Sequence, residues 1–212
     1  MRNQLTELVV KRLNESKEQL KKDFFKEHPV KVARFFTLDN LLPIDIAEKI
    51  YAEFPKPKKM RLLNSGGELK LKYTPLKDAP PMLQDMHYAI QNTEVVSIIE
   101  EITGIQNQIP DRSKFAGGFS TLLKGYYLNP HLDSSHDVDK KFYRTVNMLY
   151  YVSPNWRLEN GGNYELWDET VTKNIVVPSY FNRLLVMETN RKSWHSVNPV
   201  LCLLPMSLLL VF

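Results

Sequence analysis

Three residues in the second half of the chain carry side chains that can bind one metal ion together. His131 and Asp133 are two positions apart at the end of a predicted strand, and His195 lies in a later predicted strand, residues 193–197. Side chains two apart on a strand point to the same face. Two imidazoles and one carboxylate on one face of an octahedral ion leave the opposite face open, as in non-haem iron(II) oxygenases. The three residues are therefore candidate ligands of an iron(II) ion.

The same residue types also have ordinary structural roles. His131, next to Pro130, fits a histidine in a surface turn, and Asp133 fits a turn-capping carboxylate. His195 follows a tryptophan and fits a buried histidine of the core. His136 is a weaker alternative ligand, because it lies in a loop of Ser, Asp and Lys. Spacing alone does not decide between a metal site and these structural roles.

Seven segments after Pro110 predict short β-strands, because they are rich in β-branched and aromatic residues and are separated by Pro, Gly and Asn. The predicted strands are residues 120–128, 143–152, 164–167, 175–177, 183–187, 193–197 and 207–212. Gly161 and Gly162 precede one of them and predict a tight hairpin turn with positive φ. Strands of this number and spacing are typical of a sandwich, jelly roll or barrel.

The first half of the chain predicts helices. Residues 3–25 carry apolar side chains at helical spacings with charges between them. Further helices are predicted over residues 44–51 and 82–101, with Pro81 in the first turn of the second and Gly104 at its end. Helices first and strands afterwards predict an α+β fold in which the helices pack on one sheet.

Two segments between the predicted helices are less regular. Residues 32–36 predict a strand, and residues 55–80, which hold several prolines and glycines, predict loop and short strand.

Composition limits the classes of function. With 43% hydrophobic and 25% charged residues, the 212-residue chain predicts a globular protein. The net charge of +4 comes partly from an N-terminal segment without interleaved aromatic residues, which argues against nucleic-acid binding. The single cysteine, Cys202, fits a reducing compartment. The N-terminus does not look like a signal peptide, and the apolar run 200–212 is shorter than the ~20 residues needed to span a bilayer, so we expect a cytoplasmic protein that does not bind membranes.

A set of motifs resembles one known family. The segments GYYLNPHLDSSHD, YRTVNMLYYVSPNW, NGGNYELWD, VPSYFNRLLVMETN and SWHSVNPV are similar, in order and spacing, to the catalytic domain of the prolyl-4-hydroxylase-like family of 2-oxoglutarate- and iron(II)-dependent oxygenases. Upstream, RFFTLDNLLPIDIAEKIYAEF and ITGIQNQIPD resemble the helical lead-in of that family. The resemblance covers about residues 33–203.

The resemblance implies a fold and a domain organisation. The fold is a double-stranded β-helix, a cupin-like jelly roll, with N-terminal helices packed on one sheet. Residues 1–30 would form an N-terminal helical extension, and residues 31–212 a single oxygenase domain. Within that domain the helical lead-in is residues 31–110 and the β-helix core residues 111–212.

The resemblance also implies an activity and its cofactors. The expected enzyme is a dioxygenase that uses iron(II), O₂ and 2-oxoglutarate to hydroxylate an unactivated carbon of a small-molecule or peptidyl substrate, with peptidyl proline as one candidate. Ascorbate is a further candidate cofactor. In relatives, the 2-oxo acid end of 2-oxoglutarate chelates the iron. His131, Asp133 and His195 match the metal ligands, and no catalytic residue beyond them is implied.

Three further residues are candidates for the cosubstrate pocket. Tyr151 matches a tyrosine that assists 2-oxoglutarate binding in the family, on the Arg-x₅-Tyr-Tyr strand. Asn147, four residues earlier on that strand, is expected to face the same pocket. Tyr127 is four residues before His131 and would face the iron if the strand were unbroken, although Pro130 can interrupt that alternation.

One expected feature of the family is missing. In relatives, the far carboxylate of 2-oxoglutarate meets a basic residue about nine to eleven positions after the distal histidine. The corresponding positions here are Leu204, Pro205 and Met206, and no Lys or Arg follows His195. A buried carboxylate without a cation costs on the order of several kcal/mol. Either another cation replaces this residue, or the C-terminal end is altered, or the protein does not use 2-oxoglutarate. The candidate replacement cations are Arg144, Lys124 and Arg191.

Three alternative functions follow from the missing basic residue and from the weakness of spacing alone. The first is a degenerate or truncated β-helix module that binds metal without catalysis. The second is a cupin-like metal enzyme that chelates its own substrate and needs no cosubstrate. The third is a metal-free β-sandwich that acts as an interaction protein.

Overall fold

The structure is a computed structural model that describes residues 1–73, 76–111 and 117–211. The described residues form four α-helices: α1 (Arg2–Phe24), α2 (Ile44–Ala52), α3 (Pro81–Ile90) and α4 (Thr93–Thr103). They also form eleven β-strands: β1 (Phe35–Leu38), β2 (Arg61–Ser65), β3 (Glu68–Tyr73), β4 (Gly118–Leu122), β5 (Tyr127–His131), β6 (Val146–Tyr151), β7 (Tyr164–Trp167), β8 (Asn174–Val177), β9 (Arg183–Glu188), β10 (His195–Val197) and β11 (Met206–Val211). Within these ranges, no helix has both the length and the apolar character needed to cross a bilayer.

The strands form one curled antiparallel sheet. Their order is β1-β9-β6-β11-β4-β3-β5-β10-β7-β8, and β2 pairs with β3 beside this path. The curl closes one face of the sheet around an interior, while the other face of its central strands is covered by the helices. The predicted α+β class and the double-stranded β-helix with helices on one sheet are confirmed.

The helices and the outer face of the sheet share one apolar cluster, the helix-side core. The buried stripe of α1 is Leu5, Val9, Leu13, Leu20 and Phe24, which recur at helical spacings. This stripe packs against α3, α4 and β1, and the cluster continues onto the outer faces of β6 and β9. The domain boundary proposed at residue 30 stays a prediction.

The opposite faces of the same strands form a second cluster, the inner core. Its members on β6 and β9 alternate with residues of the helix-side core, because successive side chains of a strand point to opposite faces, and β11 contributes two further members. They are Leu149, Tyr151, Leu185, Met187, Met206 and Leu208. Burial on both faces explains why these strands read as continuous apolar runs in the sequence.

One predicted helix is two helices. The segment predicted as a helix over residues 82–101 breaks between α3 and α4. Asn92 caps α4 by accepting a hydrogen bond from the backbone N–H of Glu94 at 2.9 Å, a role for which Asn is among the preferred residues. Gly104 ends α4 with a φ of 71°, as its position predicted.

Several strand predictions also needed correction. The predicted strand 120–128 is two strands, β4 and β5, separated by a turn at Gly125. The segment 55–80, predicted as loop and short strand, does contain short strands: it holds the hairpin β2–β3, of which β3 pairs with both β4 and β5. The strand predicted over residues 32–36 is β1, which lies further along the chain.

Gly161 and Gly162 have positive φ angles of 69° and 63°, as predicted, but they do not form a hairpin turn. They lie against the segment that follows β10, and a Cβ on Gly161 would be 2.0 Å from the carbonyl oxygen of Pro199. The two glycines are therefore required by a close backbone approach as well as by their φ angles.

Candidate metal centre

The structure brings the three predicted ligands together. His131 is the last residue of β5, His195 is the first residue of β10, and the two are cross-strand partners. Asp133 follows β5 in the adjoining loop. One ligand atom from each residue lies within 4.8 Å of the others, and the two imidazole ring centres are 4.3 Å apart. The long sequence separation of His195 from the pair is thus closed by the pairing of β5 with β10.

Backbone hydrogen bonds orient both imidazoles. Nδ1 of His131 is 2.8 Å from the carbonyl oxygen of Asn129, and Nδ1 of His195 is 2.9 Å from the carbonyl oxygen of Ser193. A carbonyl oxygen only accepts, so each Nδ1 carries the hydrogen and donates it. In the neutral ring, Nε2 then keeps its lone pair. Metal-binding histidines commonly have this arrangement.

The environment favours the neutral form of His195. Its burial lowers the pKa of the imidazole, and nearby His131 and Lys70 lower it further, whereas the charge of Asp133 raises it. Nε2 of His195 is 3.4 Å from Oδ2 of Asp133. A neutral imidazole beside a carboxylate is the state that binds a metal ion.

Asn147 orients the carboxylate. It lies on the inner face of β6, is 2% exposed, and donates a hydrogen bond from its side-chain amide to Oδ2 of Asp133. Its own Oδ1 has no hydrogen-bond partner among the residues that the structure describes. Asn147 therefore limits the rotation of Asp133 and leaves a buried polar atom near the centre.

A cavity of about 70 Å³ extends from the triad into the barrel. At the metal end it is lined by His131, Asp133, His195, Asn147 and Tyr164. The remaining lining is mostly apolar, and it consists of Leu122, Leu128, Leu149, Val197 and Leu208 together with Ser120 and Lys70. Two imidazoles and one carboxylate with an adjoining cavity fit a divalent metal that keeps open coordination positions.

Comparison with protein families points in the same direction. Residues 117–204 match the model of the 2OG-Fe(II) oxygenase superfamily. The matched segment contains the whole triad, so the resemblance inferred from the motifs is confirmed.

Solved structures of the superfamily's fold cover nearly the whole chain. A prolyl-4-hydroxylase from Pseudomonas putida is 15% identical, with a TM-score of 0.64 over 96% of this chain and 97% of that chain. A prolyl hydroxylase from Trichoplax adhaerens, in complex with a hypoxia inducible factor peptide fragment, is 17% identical, with a TM-score of 0.58 over 99% and 89%. HygX from Streptomyces hygroscopicus, with nickel and 2-oxoglutarate bound, is 13% identical, with a TM-score of 0.56 over 85% and 82%. At these identities the likeness shows the fold. No curated protein is similar enough in sequence to match the chain.

Two of the three candidate cosubstrate residues lie on the inner face of β6. Asn147 lines the cavity, and Tyr151 lies on the same face two strand repeats further on. The Tyr151 side chain is buried, and its hydroxyl has no hydrogen-bond partner by distance and angle within the described part of the chain. Burial raises the pKa of this hydroxyl, so it stays protonated and can donate a hydrogen bond.

Tyr127 does not line the cavity. His131 pairs with His195 and Leu128 pairs with Val197, so three steps along β5 face two steps along β10. This β-bulge interrupts the alternation by which Tyr127 was expected to face the metal, and Leu128 lines the cavity instead. Pro130, which lacks a backbone N–H, lies inside the bulged stretch.

His136 is not part of the metal cluster. Its ring packs on Tyr143 with ring centres 4.2 Å apart, and its Nδ1 is 2.8 Å from the hydroxyl of Ser135. The cluster of possible ligands found in the described residues contains only the triad.

The positions at which the family pattern places its basic residue differ in solvent exposure in this structure. Met206 begins β11, is 1% exposed and belongs to the inner core, whereas Leu204 is 55% exposed. Met206 therefore occupies the interior position from which a basic side chain could reach a cosubstrate. Sequence reasoning did not find Lys70, the one cation that lines the cavity among the described residues. The sequence feature that could have indicated it is the stretch ELKLKY, where charged and apolar residues alternate as in a β-strand.

Proposed function

We propose that the protein is a 2-oxoglutarate- and iron(II)-dependent dioxygenase that hydroxylates an unactivated carbon of a small-molecule or peptidyl substrate. The observation that carries the proposal is the convergence of His131, Asp133 and His195 within 4.8 Å, at one end of a cavity, in a segment that matches the model of the 2OG-Fe(II) oxygenase superfamily. Two histidines and one carboxylate are the donor set that non-haem iron(II) oxygenases use.

The side chains of this site would hold the metal and keep it accessible. When bound, iron(II) and 2-oxoglutarate supply the activation of O₂ that no protein side chain provides. Nε2 of each histidine and one carboxylate oxygen of Asp133 would bind the ion, while the amide of Asn147 fixes the carboxylate. The ring of Tyr164 stacks on His195 with ring centres 5.3 Å apart, which limits rotation of the imidazole. The apolar lining excludes water from the same space.

A larger pocket is the candidate substrate site. It has a volume of about 780 Å³ and is lined by loop 106–111 and by segment 137–148. This volume suits a drug-sized molecule or a few residues of a peptide. Arg144 lines it, and burial lowers the pKa of this guanidinium while the charge of Asp133 raises it. The lining of this pocket is both polar and apolar, so it does not restrict the substrate to one class.

A second candidate function is a metal-binding module without turnover. The observation that favours it is the apolar Met206 at the interior position where relatives have a basic residue. Such a module would bind iron(II) through the same three residues but would not bind 2-oxoglutarate.

Formation of succinate from 2-oxoglutarate tests the proposal. The purified protein is supplied with iron(II), O₂ and 2-oxoglutarate, with and without ascorbate, and succinate is measured even in the absence of a substrate. We expect slow succinate formation by the wild type and none by Asp133→Ala. Iron binding without any succinate would favour the second candidate, and succinate formation by both proteins would contradict the ligand assignment.

A further inference from the structure

We infer that Lys70 supplies the positive charge that binds the far carboxylate of 2-oxoglutarate in this protein. The inference rests on the proposed function, because it names a binding residue for the cosubstrate of that reaction. It assigns the role to a strand that precedes the matched family segment, since β3 ends at Tyr73 and the match begins at residue 117.

The register of the sheet places Lys70 in the same row as Met206. Met206 pairs with Leu122, and Leu71 of β3 pairs with Thr121. One further step along this antiparallel ladder places Lys70 beside Leu122. Lys70, Leu122 and Met206 therefore form one row across three adjacent strands, with about 10 Å between the outer two because strands are about 4.8 Å apart. A cation at residue 70 thus lies two strands away from the position where the family has one.

The side chain of Lys70 points into the interior. β3 alternates between two faces: Leu71 pairs with Thr121 on one face, whereas Glu68, Lys70 and Lys72 share the face of Leu122 and Ser120. Lys70 lines the cavity of the metal centre, and its side chain is 19% exposed. A lysine on the inner face of a closed sheet requires an anionic partner, because an unpaired buried charge is costly.

The partner in the structure is Glu68, whose carboxylate is 2.6 Å from Nζ of Lys70. Both side chains keep some access to solvent, at 19% and 29% exposure, so Nζ of Lys70 can be reached by a second anion. An incoming carboxylate can therefore replace Glu68 as the partner of Nζ, or share Nζ with it.

Other described cations are less suited to this role. Lys124 and Arg191 are exposed, and Arg144 lines the larger pocket. Arg183 lies on the inner face beside Tyr151, but its guanidinium forms two hydrogen bonds with Asp39, at 2.5 and 2.8 Å. Of the three cations proposed from the sequence, none lines the cavity of the triad.

Binding of two 2-oxo acids separates this role from a general effect on the site. 2-Oxoglutarate and pyruvate share the chelating 2-oxo acid end, but pyruvate lacks the far carboxylate. Dissociation constants are measured by calorimetry on the cobalt(II)-loaded protein. For Lys70→Met we expect about 10- to 100-fold weaker binding of 2-oxoglutarate and unchanged binding of pyruvate, because one charge-assisted hydrogen bond is lost. Lys70→Arg should retain most of the affinity.

Lys72→Met is the matched control. It removes a lysine from the same face of the same strand, but Lys72 does not line the cavity. We expect unchanged affinity for both ligands. Glu68→Gln should tighten 2-oxoglutarate binding by up to about fivefold, because it removes the competing carboxylate.

The outcomes distinguish this inference from the proposed function. If Lys70→Met binds 2-oxoglutarate as tightly as the wild type, or loses both ligands equally, Lys70 is not the anchor, while the dioxygenase proposal stands. If the cobalt-loaded wild type binds no 2-oxoglutarate, both proposals fail and the metal-binding module is left. Cobalt binding by each variant checks that the fold and the triad are intact.

Discussion

The two ends of the cavity differ in how closely their residues match the pattern of the superfamily. At the metal end, ligand atoms of two histidines and one aspartate lie within 4.8 Å of one another, and a supporting asparagine donates a hydrogen bond to the aspartate. At the far end, Met206 and Leu208 fill the inner face of β11, and the nearest lining cation comes from β3. In the proposed enzyme, metal binding and cosubstrate binding would therefore be separate requirements. The first would depend on the pairing of β5 with β10, and the second on which strand contributes a charge.

The largest expected effect concerns the metal end. Asp133→Ala should weaken binding of iron(II) or cobalt(II) by more than about 100-fold, because it removes a ligand rather than a supporting group. Calorimetric titration under anaerobic conditions measures the loss. Asp139→Ala is the matched control, since it removes an exposed carboxylate from the same loop. Wild-type affinity in Asp133→Ala would contradict the ligand assignment.

Thermal unfolding gives an independent reading of the same site. Metal at 100 times its dissociation constant should stabilise the wild type by about 2.7 kcal/mol. For a chain of this size that corresponds to a rise in Tm of about 5–10 °C. The metal-free interpretation of the fold predicts no rise, and Asp133→Ala should show none.

The next effect concerns the residue that orients the aspartate. Asn147→Ala should weaken metal binding by about 10- to 100-fold, as expected for a group that fixes a ligand without binding the metal. Asn64→Ala, on the exposed strand β2, is the control and should bind metal normally. An unchanged affinity in Asn147→Ala would show that the loop positions Asp133 without its help.

The far end can be altered in the opposite direction. In a Lys70→Met background, Met206→Arg should restore 2-oxoglutarate affinity by about tenfold or more, because it returns a cation to the same row of the sheet. Leu204→Arg, which adds the same charge at an exposed position, should not. Cobalt binding checks that the larger side chain is tolerated in the inner core. Equal rescue by both variants would indicate a general charge effect.

The smallest effect concerns two neighbouring tyrosines. Tyr151→Phe should weaken 2-oxoglutarate binding by about threefold, since it removes a buried hydroxyl on the cavity side. Tyr150→Phe is the matched control: the Tyr150 hydroxyl donates to Oδ1 of Asn182 at 2.9 Å, on the helix side of the sheet. It should lower stability by about 1 kcal/mol and leave ligand binding unchanged. Similar losses of affinity in both variants would remove Tyr151 from the cosubstrate site.

The sequence predicted the metal end better than the far end, for physical reasons. His131, Asp133 and His195 are named by residue type and by their place on predicted strands, and the fold then brings them together. Lys70 was not predicted, because its relation to Met206 arises from strand pairings between distant segments. The segment 55–80 also holds prolines and glycines, so it was predicted only as loop and short strand, without a position for β3.

Local irregularities explain the remaining differences. The bulge in β5 shifts the alternation by one residue and exchanges Tyr127 for Leu128, and such a bulge depends on how two strands pair. The helix predicted over residues 82–101 is divided at Asn92, which caps α4. The apolar periodicity continues across this position, so the sequence pattern did not indicate the break. Asn147 was expected to face the pocket, but its hydrogen bond to Asp133 required the geometry of the loop after β5.

The most direct test of the account is a cobalt-loaded crystal structure with anomalous diffraction at the cobalt edge. We predict one strong anomalous peak bonded to Nε2 of His131, Nε2 of His195 and a carboxylate oxygen of Asp133, at distances of about 2.0–2.2 Å as for similar divalent ions. A peak at other residues, or no peak at this triad in protein that binds one equivalent of cobalt, would contradict the account.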